Sequence, residues 1–254
     1  MATTSAATHG TVVFVEKHPD VPLPPYDAKR NITYVETTLT TEHILASAAI
    51  PVAFLPVRIA QPAAWRGWYV DGGLRLNAPI KPALALGGTH VAVVATHPRD
   101  YPPAQQPTQR EQAKPDVVAA FAHVLRGALA DRMVEDLHTL ATVNSLLKKH
   151  PQPPRHGDGR PFRAVQVAFA GPPPAEDGSI GRLALRMFHE EVRNLGGVLR
   201  HGNLWLLSRM IGGRRADHGE LLSYLYFDRA FTAEAAKLGV KHVHDNPPRM
   251  QTPS

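Results

Sequence analysis

Asp71 is the residue whose neighbours could make it chemically active. It follows Trp68-Tyr69-Val70, aromatic and β-branched residues that suit a pleated, half-buried surface, and it precedes Gly72-Gly73. Two residues without Cβ let a backbone turn sharply or approach another group closely, so the carboxylate is expected at a strand end that opens toward a cleft. A carboxylate in that position can accept the proton of a hydroxyl if burial lifts its pKa toward the working range. The hydroxyl then becomes a nucleophile for acyl transfer. Asp can equally cap the turn ahead of the glycines. Downstream, Asn77 reads as the N-cap of a helix from Ile80 to Leu86, with Pro79 in its entry and Gly87-Gly88 at its close. Arg75 could pair with a phosphate or with a surface acid.

The elements that must position Asp71 are readable on both sides of it. Thr11 to Val15 is a short apolar run bounded by Gly10 and by Lys17-His18-Pro19, hence a buried strand. Four prolines between Pro19 and Pro25 enforce an irregular loop. Asn31 to Leu39 resumes β-type composition, and Thr40-Thr41-Glu42 starts a helix that must end before Pro51. Ser47 lies inside that helix among alanines, where a small residue serves close packing. Phe54 to Ile59 and Arg66 to Val70 are two further strands about a Gln61-Pro62 turn, and His90 to Ala95 is another. The order strand, Asp-Gly-Gly bend, helix, strand predicts a βαβ unit with parallel pairing, and so an α/β fold. In open α/β sheets ligands bind outside the carboxyl ends of the strands, where Asp71 would lie.

Beyond residue 97 the chain changes character. Pro98 to Pro115 is polar and Pro-rich, a linker or lid-like loop. Asp116 to Lys149 carries apolar residues at helical spacing, as one amphipathic helix or two broken near Gly127. Arg163 to Ala170 reads as a strand. Residues 178 to 195, 204 to 210, 219 to 226 and 232 to 238 read as helices, with Leu221 to Phe227 apolar enough to be core or to line an acyl-chain pocket. Residues 1 to 9 and the tail from Asp245 are expected to be unstructured. His242-Val243-His244-Asp245 is the tightest candidate metal cluster, yet no third ligand falls at a suitable spacing. No metal or cofactor is therefore expected.

Composition narrows the classes. The 254 residues, 43% hydrophobic, can bury an ordinary core, and the absence of Cys excludes disulfides, Cys-ligated zinc and thiol nucleophiles. The amino terminus has neither the basic nor the apolar region of a secretory signal, and no apolar run approaches the roughly 20 residues of a spanning helix. The expectation is a cytoplasmic protein, peripheral at membranes at most. Net charge is +6, with 28 Lys and Arg against 22 Asp and Glu, spread along the chain. Diffuse charge suits an anionic membrane surface; without a basic stripe interleaved with aromatics, nucleic-acid binding is not expected.

The run Ala46-Ser47-Ala48-Ala49-Ile50-Pro51, then Trp68 through Pro79, then the strand at His90, resembles the second half of a patatin-like phospholipase domain. The resemblance is close over Thr33 to Thr96 and loose elsewhere. It implies a three-layer α/β/α fold with a mostly parallel sheet, and a lipid acyl hydrolase of the phospholipase A or esterase type. It also implies that Asp71, in the motif Asp71-Gly72-Gly73, is the proton acceptor of a Ser-Asp dyad. In the family the Ser stands on a Gly-x-Ser-x-Gly elbow preceded by a Gly-rich oxyanion loop. None of the seven serines has Gly on both sides at that spacing, and no nucleophile is assigned in this chain.

The expected organisation is therefore 1–97 as the second half of a patatin-like core, 98–115 as linker or lid, 116–245 as a helix-rich part with one returning strand, and 246–254 as tail. Two functions stay open. The chain is a fragment of a lipid acyl hydrolase, inactive alone, which acts on a phospholipid or other lipid ester once a complementing amino-terminal segment supplies the Ser; or it is a non-catalytic relative that binds lipid or a membrane surface. A third, a basic module for anionic surfaces, needs only the charge.

Overall fold

The computed structural model describes residues 1–51, 54–76, 79–100, 117–127, 132–150, 152–155, 161–193, 216–226 and 228–250. The chain divides into two compact units. One comprises 1–91, 128–167 and 251–254, the other 92–127 and 168–250.

The first unit is built on a five-stranded sheet in the order β3-β2-β1-β5-β4. Its strands are β1 (Ala2–Ser5), β2 (Thr11–Val15), β3 (Ile32–Glu36), β4 (Val57–Ile59) and β5 (Gly67–Asp71). β2 runs parallel to β3; the pairs β1/β2, β1/β5 and β4/β5 are antiparallel. The class is α/β with a mixed sheet. Its two faces follow from strand alternation. Val12, Phe14, Ile59 and Tyr69 meet Ala46 of helix α1 (Thr41–Ser47) on one side. Val13, Val15 and Ile32 meet Leu76, the last residue of helix α2 (Gly73–Leu76), on the other. The entry to α1 is fixed where the sequence indicates: Thr40 is the N-cap, and its N–H donates to His43 Nδ1 at 3.1 Å. Burial pushes the His43 pKa below its ordinary value, keeping the imidazole neutral under Phe14.

Residues 1 to 9 correct the expectation of an unstructured start. β1 is the middle strand, and Thr3 is fully buried. Its polar composition hides this, because the two buried Thr hydroxyls have carbonyls to serve: Thr3 Oγ1 donates to Val12 O at 3.0 Å and Thr4 Oγ1 to Asp71 O at 3.1 Å. The expected βαβ pairing is also corrected. After helix α3 (Ile80–Ala85), strand β6 (His90–Val94) does not join β5; it pairs with β7 (Gln166–Ala170) in a separate two-stranded sheet. The place beside β5 is taken by β1 on one side and β4 on the other, so no parallel neighbour can dock there.

Two helices are described on either side of the expected break, α4 (Val117–Arg126) and α5 (Arg132–Lys149); residues 128–131 between them lie outside the described residues. In the first unit α5 buries Met133, Val134, Leu137 and Leu140. Its Asn144, fully buried, exchanges two hydrogen bonds with the Val165 backbone, at 2.9 and 3.0 Å. Lys81 Nζ of α3 pairs with Asp136 of α5 at 2.8 Å.

The second unit packs α6 (Ser179–Arg193), α7 (Ala216–Leu225) and α8 (Arg229–Asp245) about Leu183, Ala184, Phe188, Leu222, Tyr226 and Phe231. Leu221 and Leu222 are thus core. Residues 101–115 of the expected linker 98–115, and the expected helix at 204–210, fall outside the described residues. α6 and α7 cross at two glycines, where a Cβ on Gly219 would stand 2.4 Å from Gly181 O. Gly219→Ala should therefore cost about 1–3 kcal/mol through forced separation of the helices. Gly239→Ala in α8, which meets open space, should stabilise by about 0.4–1 kcal/mol. Urea midpoints of the two variants check the opposite signs.

Candidate functional site

β5 ends at Asp71, as the aromatic and β-branched run before it indicates. Three backbone constraints hold it there. Its N–H donates to Ala49 O at 2.9 Å, tying the strand end to the segment after α1. Thr3 stands opposite it in the β1 register, and Thr4 Oγ1 bonds its carbonyl. Gly72 follows with no room for a side chain, since a Cβ there would lie 2.4 Å from Ala2 O. Gly73 begins α2 directly, and Asp71 therefore sits at the step from strand to helix.

The side chain is half-buried, and its Oδ1 accepts the Gly73 N–H at 2.7 Å. Among the described residues no hydroxyl and no cation bonds the carboxylate, and Oδ2 accepts nothing. Desolvation pushes the pKa up from its ordinary 3.8, and the Gly73 N–H, which favours the charged form, offsets this in part. The geometry thus carries features of both sequence readings. The amide of the bend engages one oxygen, as in a turn cap. The other oxygen is left in a desolvated setting that strengthens it as a base.

The remaining sequence candidates separate from this centre. Asn77 lies outside the described residues, and the N-cap of α3 is Pro79. Arg75 is an exposed residue of α2. Ser47 spends its hydroxyl on Ile44 O at 2.8 Å, consistent with a packing role in α1. His242 and His244 sit on a helix, not an extended segment; His242 is buried and His244 exposed, so they do not share a face. No group of three His, Asp or Glu suited to a metal occurs among the described residues. An open groove of about 580 Å³ runs along α5, lined by Val134, Glu135, His138, Thr139, Thr142 and Val143, and it includes no residue of the Asp71 bend.

A polar cluster in the second unit has no linear signature. Arg126 bridges two acids, Nη2 to Asp177 Oδ2 at 2.6 Å and Nη1 to Glu220 Oε1 at 3.0 Å. His97 Nε2 lies 2.8 Å from Tyr224 OH, and its Nδ1 faces Asp177 at 3.6 Å and Glu220 at 3.8 Å. Burial pushes the Tyr224 pKa up to about 12, with Glu220 adding to the shift. Its members come from residues 97, 126, 177, 220 and 224. Only tertiary structure brings them together.

With this geometry in hand, comparison with known proteins is specific for one segment. Residues 3–84 match the family model described as Patatin-like phospholipase. No curated protein and no solved structure matches the chain.

Two outcomes follow. A carboxylate whose pKa is raised on folding stabilises the fold only while protonated; that contribution is complete below 3.8 and is lost as pH rises through the raised value. Asp71→Asn keeps the Gly73 bond and cannot ionise. It should gain stability relative to wild type as pH rises from below 3.8 to neutrality, read from urea midpoints at several pH values. Arg126→Ala strands two acids in a half-buried site and should cost about 3 kcal/mol by the same measurement.

Proposed function

We propose that this chain, whose residues 3–84 match the Patatin-like phospholipase family model, supplies the acid/base half of a lipid acyl hydrolase centre. The reaction class is hydrolysis of a lipid ester. Asp71 is the proton acceptor of the Ser-Asp dyad, Gly72 and Gly73 shape its bend, and the attacking hydroxyl comes from another stretch of polypeptide. The observation that carries this reading is the desolvated carboxylate at the end of β5, inside the matched segment and with one oxygen unengaged among the described residues.

The chemistry such a centre performs follows from the groups. The hydroxyl oxygen attacks the ester carbonyl as its proton passes to Asp71 Oδ2, and backbone N–H groups hold the developing oxyanion. Collapse of the tetrahedral intermediate expels the alcohol, which takes the proton back from the Asp71 carboxyl. Water then attacks the acyl-serine with Asp71 again as base, releasing the fatty acid and regenerating the hydroxyl. No metal or organic cofactor enters this sequence.

A second reading, a non-catalytic relative that keeps a lipid-binding surface, is favoured by a different observation. Among the described residues the carboxylate's one hydrogen bond comes from its own bend, and none of the seven serines stands on a Gly-x-Ser-x-Gly elbow. One pair of assays separates the two. Alone, the chain should give no turnover of a fluorogenic short-chain ester and no covalent labelling by a fluorophosphonate. Mixed with a patatin-like segment bearing a Gly-x-Ser-x-Gly elbow, it should hydrolyse the ester, and Asp71→Asn should abolish the activity. Failure of the mixture, with the two pieces bound to each other, favours the second reading. Turnover by the isolated chain that disappears in Asp71→Asn would show that a hydroxyl within it attacks, contrary to the proposal.

A further inference from the structure

The edge of the first unit beside Asp71 has a composition that the chemistry of the centre does not use. β4 is the edge strand, and Arg58 on it stands directly opposite Trp68 on β5. Register partners point to the same face, so these two side chains emerge together, away from Val57, Ile59 and Tyr69 under α1. Trp68 is 56% exposed, and just before β4 Leu55 is 87% and Phe54 37% exposed. Arg66, which enters β5, is exposed as well. Large apolar side chains grouped along one edge mark an interaction surface, where singly scattered ones do not.

The charge on this segment identifies what would cover it. Between His43 and Val70 there is no Asp or Glu, and Arg58 and Arg66 are the Lys or Arg residues present. A protein core would not place two guanidinium groups beside an exposed Trp without acids to pair them. A bilayer of anionic lipid accepts both: headgroup phosphates take the arginines bidentately, and the acyl boundary takes Trp, Leu and Phe. An indole suits that boundary because one end is apolar and the other carries an N–H.

We propose that the β4 edge, through Phe54, Leu55, Arg58, Arg66 and Trp68, docks the chain on an anionic lipid surface. Asp71 follows Trp68 by three residues on the same strand. That odd offset turns the Asp71 side chain to the Tyr69 face of the strand, so the contact fixes the edge of the sheet and not the carboxylate against the lipid phase. Docking rests on exposure and charge alone; only the role of what is docked rests on the lipid-ester reading above.

The test is co-sedimentation of the full chain with vesicles of phosphatidylcholine, with and without phosphatidylglycerol. Wild type should partition onto the anionic vesicles, with binding that weakens as salt rises, and Trp fluorescence should shift to the blue on binding. Arg58→Glu/Arg66→Glu should weaken partition by at least about tenfold. Leu55→Ser/Trp68→Ser should weaken it comparably while leaving the far-ultraviolet circular dichroism unchanged. Asp71→Asn should bind as wild type does, so docking can stand even if the catalytic proposal fails. Wild type that ignores anionic vesicles, or edge variants that bind them as tightly as wild type, would overturn the inference; capture of a protein partner in place of vesicles would count against it equally.

Discussion

The close approach of β1 to the bend after β5 is the constraint on which the first unit depends. The Ala2 carbonyl occupies the space where a side chain at position 72 would begin, so the residue after Asp71 must lack a Cβ. The same approach makes β1 the central strand and lets Thr4 close the Asp71 carbonyl. It also forces the chain to leave the sheet at once, into α2, which presents the Gly73 N–H to the carboxylate. Gly72 is thus a requirement of packing before it is a feature of a motif. A carboxylate placed in this way is held by the backbone of two strands, and it needs few side-chain contacts of its own.

That economy explains what could be read from residues in order. β2, β3, α1 and β5 lie close to where composition and caps put them, because each is local: an apolar run, a β-branched run, a Thr cap, an aromatic strand before glycines. β4 is shorter than the run from Phe54 suggests, since only Val57 to Ile59 pair with β5. β1 escaped because Ala-Thr-Thr-Ser looks solvated until its hydroxyls are seen to bond strand carbonyls. β6 was correctly a strand but wrongly β5's partner, a question of which neighbours fill both edges of β5, and local pattern carries no information on that.

The site divides along the same line. The bend at Asp71, Gly72 and Gly73 is legible because it occupies three consecutive residues at the end of an aromatic strand. The cluster of His97, Arg126, Asp177, Glu220 and Tyr224 is not, since no spacing along the chain foretells that a guanidinium will fork between acids 51 and 94 residues away. The His242 and His244 pair shows the converse error: spacing that suits an extended strand loses its meaning once the segment is helical.

The lipid-hydrolase reading requires a basic oxygen on Asp71, where Oδ2 accepts no hydrogen bond among the described residues; the lipid-binding reading does not. Site-specific titration of the Asp71 carboxyl by carbon-detected NMR measures that basicity directly. The account predicts a folded-state pKa above the ordinary 3.8, with the Gly73 amide shifting in parallel. A value at or below 3.8 would mean that the bend's amide outweighs desolvation, leaving a turn cap and no base poised for a hydroxyl.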